Sequence, residues 1–488
     1  MSKIQITNLS FGYEKTMENV FENVFLNIDT DWKLGLIGRN GKGKTTFLNL
    51  LLDKFEYDGS IIKTVDFDYF PFEVKDKSRL TLDIIFEIAP FLEDWQIIKE
   101  LNILKANPEI LYRNFNTLSG GEQVKVLLAS LFLKENNFLL IDEPTNHLDN
   151  ESRKNIQEYL NSKKGFILVS HDRELLDNTV DHILAINNFN VEIQKGTFST
   201  WKENKENQDN FEMSQNKKLK SEITRLETAV KNTSDWSDKV EASKIGEGFL
   251  DKGYIGHQAA KMMQRSKAIE KRKEKAIKEK SSLLKNIDRV DDLTMKPLEY
   301  EKELLLWING LSISYGEKVI CKDIRFELKR GDRISLIGKN GSGKSTILKL
   351  INGEQVNYTG TFDMGTNIKI SYVSQTTENL KGTLKDLAKE IKIDEGIFKS
   401  MLFKLGVSNS EFDKDMQEFS EGQKKKVLIA KSITESADLY IWDEPLNFID
   451  IQSRVQIENV ILKYKPTMIF VEHDETFVNK IATKKVEL

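Results

Sequence analysis

Short, nearly continuous apolar runs recur along this chain, each opening into a glycine-rich or acidic turn. WKLGLIG (residues 32–38) leads into the helix-period stretch TTFLNLLL (45–52), and FLLIDEP (138–144) and GFILVSHD (165–172) follow. The same succession returns as DRISLIG (332–338), STILKLIN (345–352), LYIWDEP (439–445) and TMIFVEHD (467–474). Runs without apolar–polar alternation read as strands buried on both faces. Such strands, separated by helical stretches, predict an α/β fold with a parallel sheet covered by helices.

The succession is a long-period internal repeat. Lys44 recurs as Lys344, Asp142 as Asp443 and His171 as His473, so the offset stays between 300 and 302 residues. The chain reads as a tandem duplication, with one copy over 1–201, an insert over 202–299 and a second copy over 300–488. The insert has a different rhythm. Leu219, Ile223, Leu226 and Val230 form one helical seam, and Met262, Ile269, Ala276, Leu283 and Val290, spaced by sevens, form another. Gly246, Gly248, Gly253 and Gly256 interrupt the period between them. Two antiparallel helices with a tip near 237–257 are predicted, each about 35 residues and roughly 50 Å long. A plain solvated linker is the alternative, but it would not need apolar heptads.

Bulk properties narrow the class. The 488 residues suit two or three domains, and 39% hydrophobic with 30% charged residues is an ordinary globular balance. No run approaches the ~20 apolar residues that span a bilayer, and MSKIQITNLSFGY lacks a signal-peptide pattern, so a cytoplasmic location is expected. The single cysteine, Cys321, excludes an internal disulfide, argues against a structural zinc site and reads as a small core residue of a strand. A net charge of -4 does not suggest a nucleic-acid binder as a whole, yet Lys261 to Lys285 holds ten Lys or Arg against three Glu.

The turns after the apolar runs carry the chemistry. GRNGKGKT (38–45) and GKNGSGKS (338–345) each lie between a predicted strand and a predicted helix, the context of a phosphate-binding loop. In the first, Gly38, Asn40, Gly41, Gly43, Lys44, Thr45 and Thr46 are the candidate ATP-binding residues. In the second they are Gly338, Asn340, Gly341, Gly343, Lys344, Ser345 and Thr346. The glycines allow a tight turn whose N–H groups face phosphates, and the lysines reach the β and γ phosphates. Thr45 and Ser345 offer hydroxyls to Mg²⁺. Asp142 and Asp443 end their strands as candidate Mg²⁺ ligands acting through water, and Glu143 and Glu444 as the groups that polarise the attacking water.

LSGGEQ (118–123) separates this chain from other phosphate-loop ATPases: it resembles the signature of ATP-binding-cassette proteins. Ser119, Gly120 and Gly121 would present a hydroxyl and bare N–H groups to a γ phosphate. The second copy reads FSEGQK, where Ser420 and Gly422 match and Glu421 replaces a glycine. The resemblance implies that each signature closes on the other copy's phosphate loop. Site one would then unite Lys44, Asp142, Glu143 and His171 with Ser420 and Gly422. Site two would unite Lys344, Asp443, Glu444 and His473 with Ser119, Gly120 and Gly121. His171 and His473 resemble the family's γ-phosphate-sensing histidine. Tyr13 and Tyr315 resemble its adenine-stacking aromatic, with core packing as the alternative. Gln375 matches the family's glutamine near Mg²⁺ and the attacking water, whereas Phe72 stands there in copy one. Phe72 and Glu421 both fall on site one, so slower or differently regulated hydrolysis is expected there.

Two cassettes on one chain with a helical-pair linker resemble the ABC-F family. GYIGHQAAKMMQRSKAIEKR in the linker, with SKIQITNLSFGY and WKLGLIGRNGKGKTT, looks like its Vga/Lsa antibiotic-resistance type. That resemblance implies two tandem phosphate-loop ATPase domains and a monomer whose cassettes pair within the chain. It implies binding to the 70S ribosome near the tRNA exit site, next to 23S rRNA and P-site tRNA. The linker tip would reach toward the peptidyl-transferase centre, with resistance to lincosamides, streptogramin A and pleuromutilins. Phe72 to Ser119 spans 47 residues and Gln375 to Ser420 spans 45, so no inserted arm is expected in copy one. Only 15 residues follow His473, so no basic C-terminal extension is expected either. The basic second linker helix suits a polyanionic partner. Lys244, Phe249 and Tyr254 are the candidate tip residues, since aromatics stack on unpaired bases, although a solvated tip with incidental aromatics remains open. Three other readings are a translation factor without a drug role, a DNA-associated ATPase and a transporter subunit. Missing zinc-ligand cysteines and a short coiled coil argue against DNA. The missing glutamine in copy one and the helical linker argue against a transporter.

Overall fold

The computed structural model describes residues 3–13, 19–146, 148–187, 190–242, 264, 271–272, 275, 292–315, 318–339, 341–378 and 380–488. Copy one builds two sheets. Strands β1 (Lys3–Gly12), β2 (Asn19–Asp29) and β4 (Asp58–Ile62) form an antiparallel sheet ordered β2-β1-β4. The larger sheet uses β3 (Lys33–Ile37), β5 (Asp66–Phe70), β6 (Asn137–Asp142), β7 (Phe166–Val169), β8 (His182–Asn187) and β9 (Asn190–Lys195). Its order is β5-β6-β7-β3-β8-β9, parallel except for the edge strand β9. The apolar runs form its centre: β7 is buried at every position and β3 at four of five.

Copy two repeats the plan. Strands β10 (Leu304–Tyr315), β11 (Lys318–Lys329) and β13 (Tyr358–Met364) form the antiparallel sheet. Strands β12 (Arg333–Ile337), β14 (Ile370–Val373), β15 (Leu439–Asp443), β16 (Met468–Val471) and β17 (Lys484–Glu487) form a parallel sheet ordered β14-β15-β16-β12-β17. Cys321 is buried in β11, as a small core residue should be. Trp442 on β15 is fully buried, with its indole N–H donating to Ser432 Oγ at 2.9 Å.

Both copies belong to one compact unit, Met1–Ser199 with Val290–Leu488, and Thr200–Arg289 forms a second. Within the first unit the copies meet through ion pairs, including a buried one between Arg173 and Glu458 at 2.8 Å and one between Lys154 and Glu475 at 3.2 Å. A helix spans Phe198–Ala242, with all but its first two residues in the second unit, and runs across the boundary expected at 201. At about 1.5 Å per residue its 45 residues exceed the expected length. Leu219 and Ile223 lie on its half-buried face, and the same spacing continues back to Glu212 and Asn216. Gln264, Lys271, Arg272 and Lys275 are also helical. The side chains of Leu226 and Val230 lie outside the described residues, as do Met262, Ile269, Ala276, Leu283, Val290 and the tip candidates Lys244, Phe249 and Tyr254.

One glycine in each copy is dictated by a bulge. The register between β1 and β4 shifts around Asn8, whose φ is 54°, and that between β10 and β13 shifts around Gly310, at φ 64°. Gly59 and Gly360 pack onto these bulges with φ of 107° and 98°. A Cβ at Gly59 would lie 2.4 Å from the Asn8 carbonyl oxygen, and one at Gly360 would lie 2.3 Å from that of Gly310. Either glycine-to-alanine substitution should therefore destabilise the fold by roughly 1–3 kcal/mol, read as a lower urea midpoint at unchanged slope.

Candidate functional site

Parallel pairing brings the ends of β3, β6 and β7 to one edge of the first sheet, and those of β12, β14, β15 and β16 to one edge of the second. That edge is where open α/β sheets hold ligands. The loop after β3 turns through Gly41 (φ 78°) and Gly43 (φ 96°) into the helix Lys44–Leu51. Its twin after β12 uses Gly341 (φ 82°) and Gly343 (φ 93°) before Lys344–Ile351. Each lysine curls over its own loop: Lys44 Nζ donates to Gly38 O at 2.7 Å and Asn40 Oδ1 at 3.0 Å. Lys344 Nζ donates to Gly338 O at 2.7 Å and Lys339 O at 2.9 Å. Thr45 is exposed and Thr346 half-buried, while the hydroxyls of Thr46 and Tyr13 lie 2.7 Å apart. Tyr13 also packs edge-on against Phe11 and Phe55. Asn340 and the side chain of Tyr315 lie outside the described residues.

Asp142 and Asp443 end β6 and β15, and Glu143 and Glu444 follow them directly. Glu143 (φ 50°) and Glu444 (φ 46°) occupy the left-handed backbone region, which non-glycine residues enter at a cost. His171 Nε2 lies 3.5 Å from Glu143 Oε1, and His473 Nε2 lies 3.6 Å from Glu444 Oε1. Asp443 Oδ1 and Glu143 Oε1 are buried without a hydrogen-bond partner, an arrangement that fits carboxylates awaiting a cation or water. Burial pushes the Asp443 carboxyl up to about 6 even though Ser345 hydrogen-bonds to it. Among the described residues no group of three His, Cys, Asp or Glu stands ready to hold a metal alone.

The signatures form helix starts. Ser119 caps Gly120–Phe132 and Ser420 caps Glu421–Thr434, each in a reciprocal box with Glu122 or Gln423. Copy two's signature end meets site one. Asn40 Nδ2 donates to Phe448 O at 2.8 Å, and a Cβ on Gly422 would lie 3.2 Å from Asn40 Nδ2. On the other side, Gly121 packs against Ser152 and Leu148 of its own cassette, and a Cβ on Gly120 would meet nothing within 4 Å. Site two is a cleft of about 380 Å³ whose lining includes Lys344, Ser345, Gln375, Glu444 and His473, with Arg153 from copy one.

The surroundings of the two glutamates differ. Burial and the charge of Asp142 push Glu143 up to about 8, against Arg454 of copy two and Lys44. Burial also holds His171 well below its ordinary value, with Lys44 and Arg454 adding to the shift. Burial opposes ionisation of Glu444 as well, but His473 and the side chains of Gln375 and Asn447 hold it down at about 2. Asn447 Nδ2 donates to Glu444 Oε2 at 2.7 Å. Gln375 thus sits on the glutamate, while half-buried Phe72 brings no polar atom to site one. Tyr69 instead donates to Asp142 Oδ2 at 2.8 Å.

Sequence reasoning missed Asp149 and Asp450. Each lies seven residues beyond its aspartate, in NHLD and NFID, so the repeat itself carried the signal. Asp450 acts on Lys44 and His171 of copy one, and Asp149 acts on Lys344 of copy two while His473 of copy two helps hold Asp149 down. Asp450 is held well below the usual carboxylate range against its burial, chiefly by Lys426, whose Nζ lies 2.6 Å away.

A family model described as ABC transporter matches residues 21–146 and 321–447, more than half of the chain. The chain is 28% identical to the ribosome protection protein VmlR of Bacillus subtilis (strain 168), over 99% of this chain and 86% of that protein. It is 24% identical to the energy-dependent translational throttle protein EttA of Escherichia coli (strain K12), over 95% and 88%. A crystal structure of an archaeal ribosome recycling factor in complex with a ribosomal stalk protein aligns with a TM-score of 0.64 at 18% identity. That alignment covers 98% of this chain and 87% of that one, and it supports the tandem-cassette fold.

The unequal glutamates give a direct expectation. Glu444→Gln should lower steady-state ATP hydrolysis by about 100-fold or more relative to its own site, leaving only the slow turnover of site one. Glu143→Gln should lower the total by no more than about two-fold. Equal losses in the two single variants, measured by phosphate release, would contradict the assignment.

Proposed function

The chain belongs to the ABC transporter family and hydrolyses ATP, and from that premise we propose that it is a ribosome-binding ATPase of the ABC-F type, in the cytoplasm, that protects the peptidyl-transferase centre from antibiotics. The observation that carries this reading is the reach of the likeness to a ribosome protection protein: it runs through both cassettes and the segment between them. Among the described residues no helix is long and apolar enough to cross a membrane. The long helix Phe198–Ala242 and the basic stretch Lys261 to Lys285 suit a probe directed at ribosomal RNA.

In this reading the phosphate loops and Tyr13 and Tyr315 bind ATP. Thr45, Asp142, Ser345, Gln375 and Asp443 would hold Mg²⁺, which neutralises charge on the phosphates during transfer. Glu444 and Glu143 polarise the attacking water, and His473 and His171, next to them, sense the γ phosphate. Bound ATP bridges the loop of one cassette and the signature of the other, so closure is an intramolecular event. The contact of Asn40 with Phe448 and Gly422 supports that pairing at site one. The closed chain fits the tRNA exit region of the 70S ribosome beside 23S rRNA and P-site tRNA. The linker tip near 237–257, with Lys244, Phe249 and Tyr254, reaches toward the drug site. Hydrolysis opens the cassettes and releases the chain.

The double variant Glu143→Gln/Glu444→Gln should co-sediment with 70S ribosomes in ATP and dissociate when ATP is withdrawn; a variant that stays in the supernatant with ATP would refute the cycle. Expression of the unaltered chain in a sensitive host should raise the minimum inhibitory concentrations of lincomycin, tiamulin and virginiamycin M several-fold. Ribosome retention with unchanged susceptibility would favour a translation factor without a drug role, for which the likeness to the translational throttle protein is the supporting observation.

A further inference from the structure

The cassettes differ at four matching positions that come together in the fold. Cassette two has Glu421, Lys425 and Glu472 where cassette one has Gly120, Val124 and Ser170. Thr377 follows Gln375 by two residues, as Val74 follows Phe72. Lys425 lies in the first turns of the helix Glu421–Thr434 and is 1% exposed. Its Nζ donates to the carbonyl oxygens of Ser374 at 2.9 Å and Glu444 at 3.1 Å. One turn earlier, Glu421 Oε2 accepts from Thr377 Oγ1 at 2.6 Å. Buried Glu472 accepts from the backbone N–H of Leu446 at 3.1 Å and of His473 at 2.7 Å, and is the foremost negative charge acting on Lys425.

A plain packing role does not account for this set. An ammonium taken out of water is costly unless it is fully hydrogen-bonded and paired, and Val124 shows that the same fold accepts an apolar side chain there. What the lysine adds is a bond to each of two segments that carry site-two side chains, Gln375 and Glu444. Ser374 precedes Gln375, and Gln375 bonds the Glu444 side chain.

The geometry points to a clamp confined to cassette two: Lys425 and Glu421 tie the signature helix, whose Ser420–Gly422 end faces site one, to the Gln375 loop and Glu444 of site two, so that phosphate capture at site one sets the hydrolytic geometry of site two. This rests on the reading of site two as the hydrolytic site. Lys425, Glu421 and Thr377 are positioning residues: they act through Gln375 and Glu444. Because coupling of binding energies is reciprocal, nucleotide at site two also tightens site one through the same bonds. Gly120 and Val124 offer no side-chain polar atom for the equivalent tie in cassette one, so this clamp runs in one direction.

A double-mutant cycle on the full-length chain tests this. Lys44→Ala, which disables site one, should lower kcat at site two about ten-fold and weaken binding of a fluorescent ADP analogue there by a similar factor. Lys425→Met should do the same alone, with KM for ATP changed far less than kcat. Combining the two should add little, because both remove one connection. Effects that multiply in the double variant, or a Lys44→Ala variant with unchanged site two, would overturn the proposal. If Lys425→Met does not fold, Thr377→Val and Glu421→Gly replace it; they leave the buried lysine in place and should reproduce the loss of additivity in both readouts. Glu444→Gln is run alongside: undiminished hydrolysis there would strike at the assignment of site two, independently of the clamp.

Discussion

Parallel pairing is the constraint on which the rest depends. Because β6, β7 and β3 run in the same direction, everything that follows their last residues emerges at one edge. The phosphate loop, the carboxylate pair and the histidine meet there although they lie 38 to 171 residues along the chain. Copy two repeats the arrangement through β15, β16 and β12, and adds Gln375 beyond β14. No helix–helix architecture would gather these segments at one line without specific contacts for each. Both faces of the sheet are then covered, which is why the strands are apolar throughout.

On that common frame, chemistry is differentiated by neighbours. Glu143 and Glu444 share a backbone conformation and a histidine partner. They diverge because Glu444 receives hydrogen bonds from Gln375 and Asn447, whereas Glu143 is buried beside the negative charge of Asp142. One carboxylate is kept ionised as a base should be, and the other is pushed toward its neutral form. Duplication supplied two equal sets of residues; a few substitutions around them made the sets unequal.

Much of this was legible in the sequence because it consists of short contiguous segments with fixed spacing. GRNGKGKT, LLIDEP and VSHD each occupy one strand end, so a linear pattern suffices. The strong repeat made the second cassette readable from the first. What the sequence concealed depends on contacts between distant segments. Asp149 and Asp450 look like ordinary helix caps, which they also are, since each accepts a backbone N–H from the serine three residues on. Their action on the other cassette follows only from how the copies pack. Glu421 looked like a damaged signature, yet its carboxylate is engaged by Thr377. The first linker seam extends further back than the apolar residues suggest, because Glu212 and Asn216 fall on the same half-buried face as Leu219 and Ile223.

The left-handed backbone at Glu143 and Glu444 sets folding against turnover. Any L-residue with a Cβ is strained there, whereas glycine would relax the turn and asparagine would tolerate it better. Stability selection at these two positions would therefore favour residues without a carboxylate. Laboratory evolution for heat resistance alone should drift toward inactive chains at these two positions, and screens for robust variants of this protein need a turnover requirement built in.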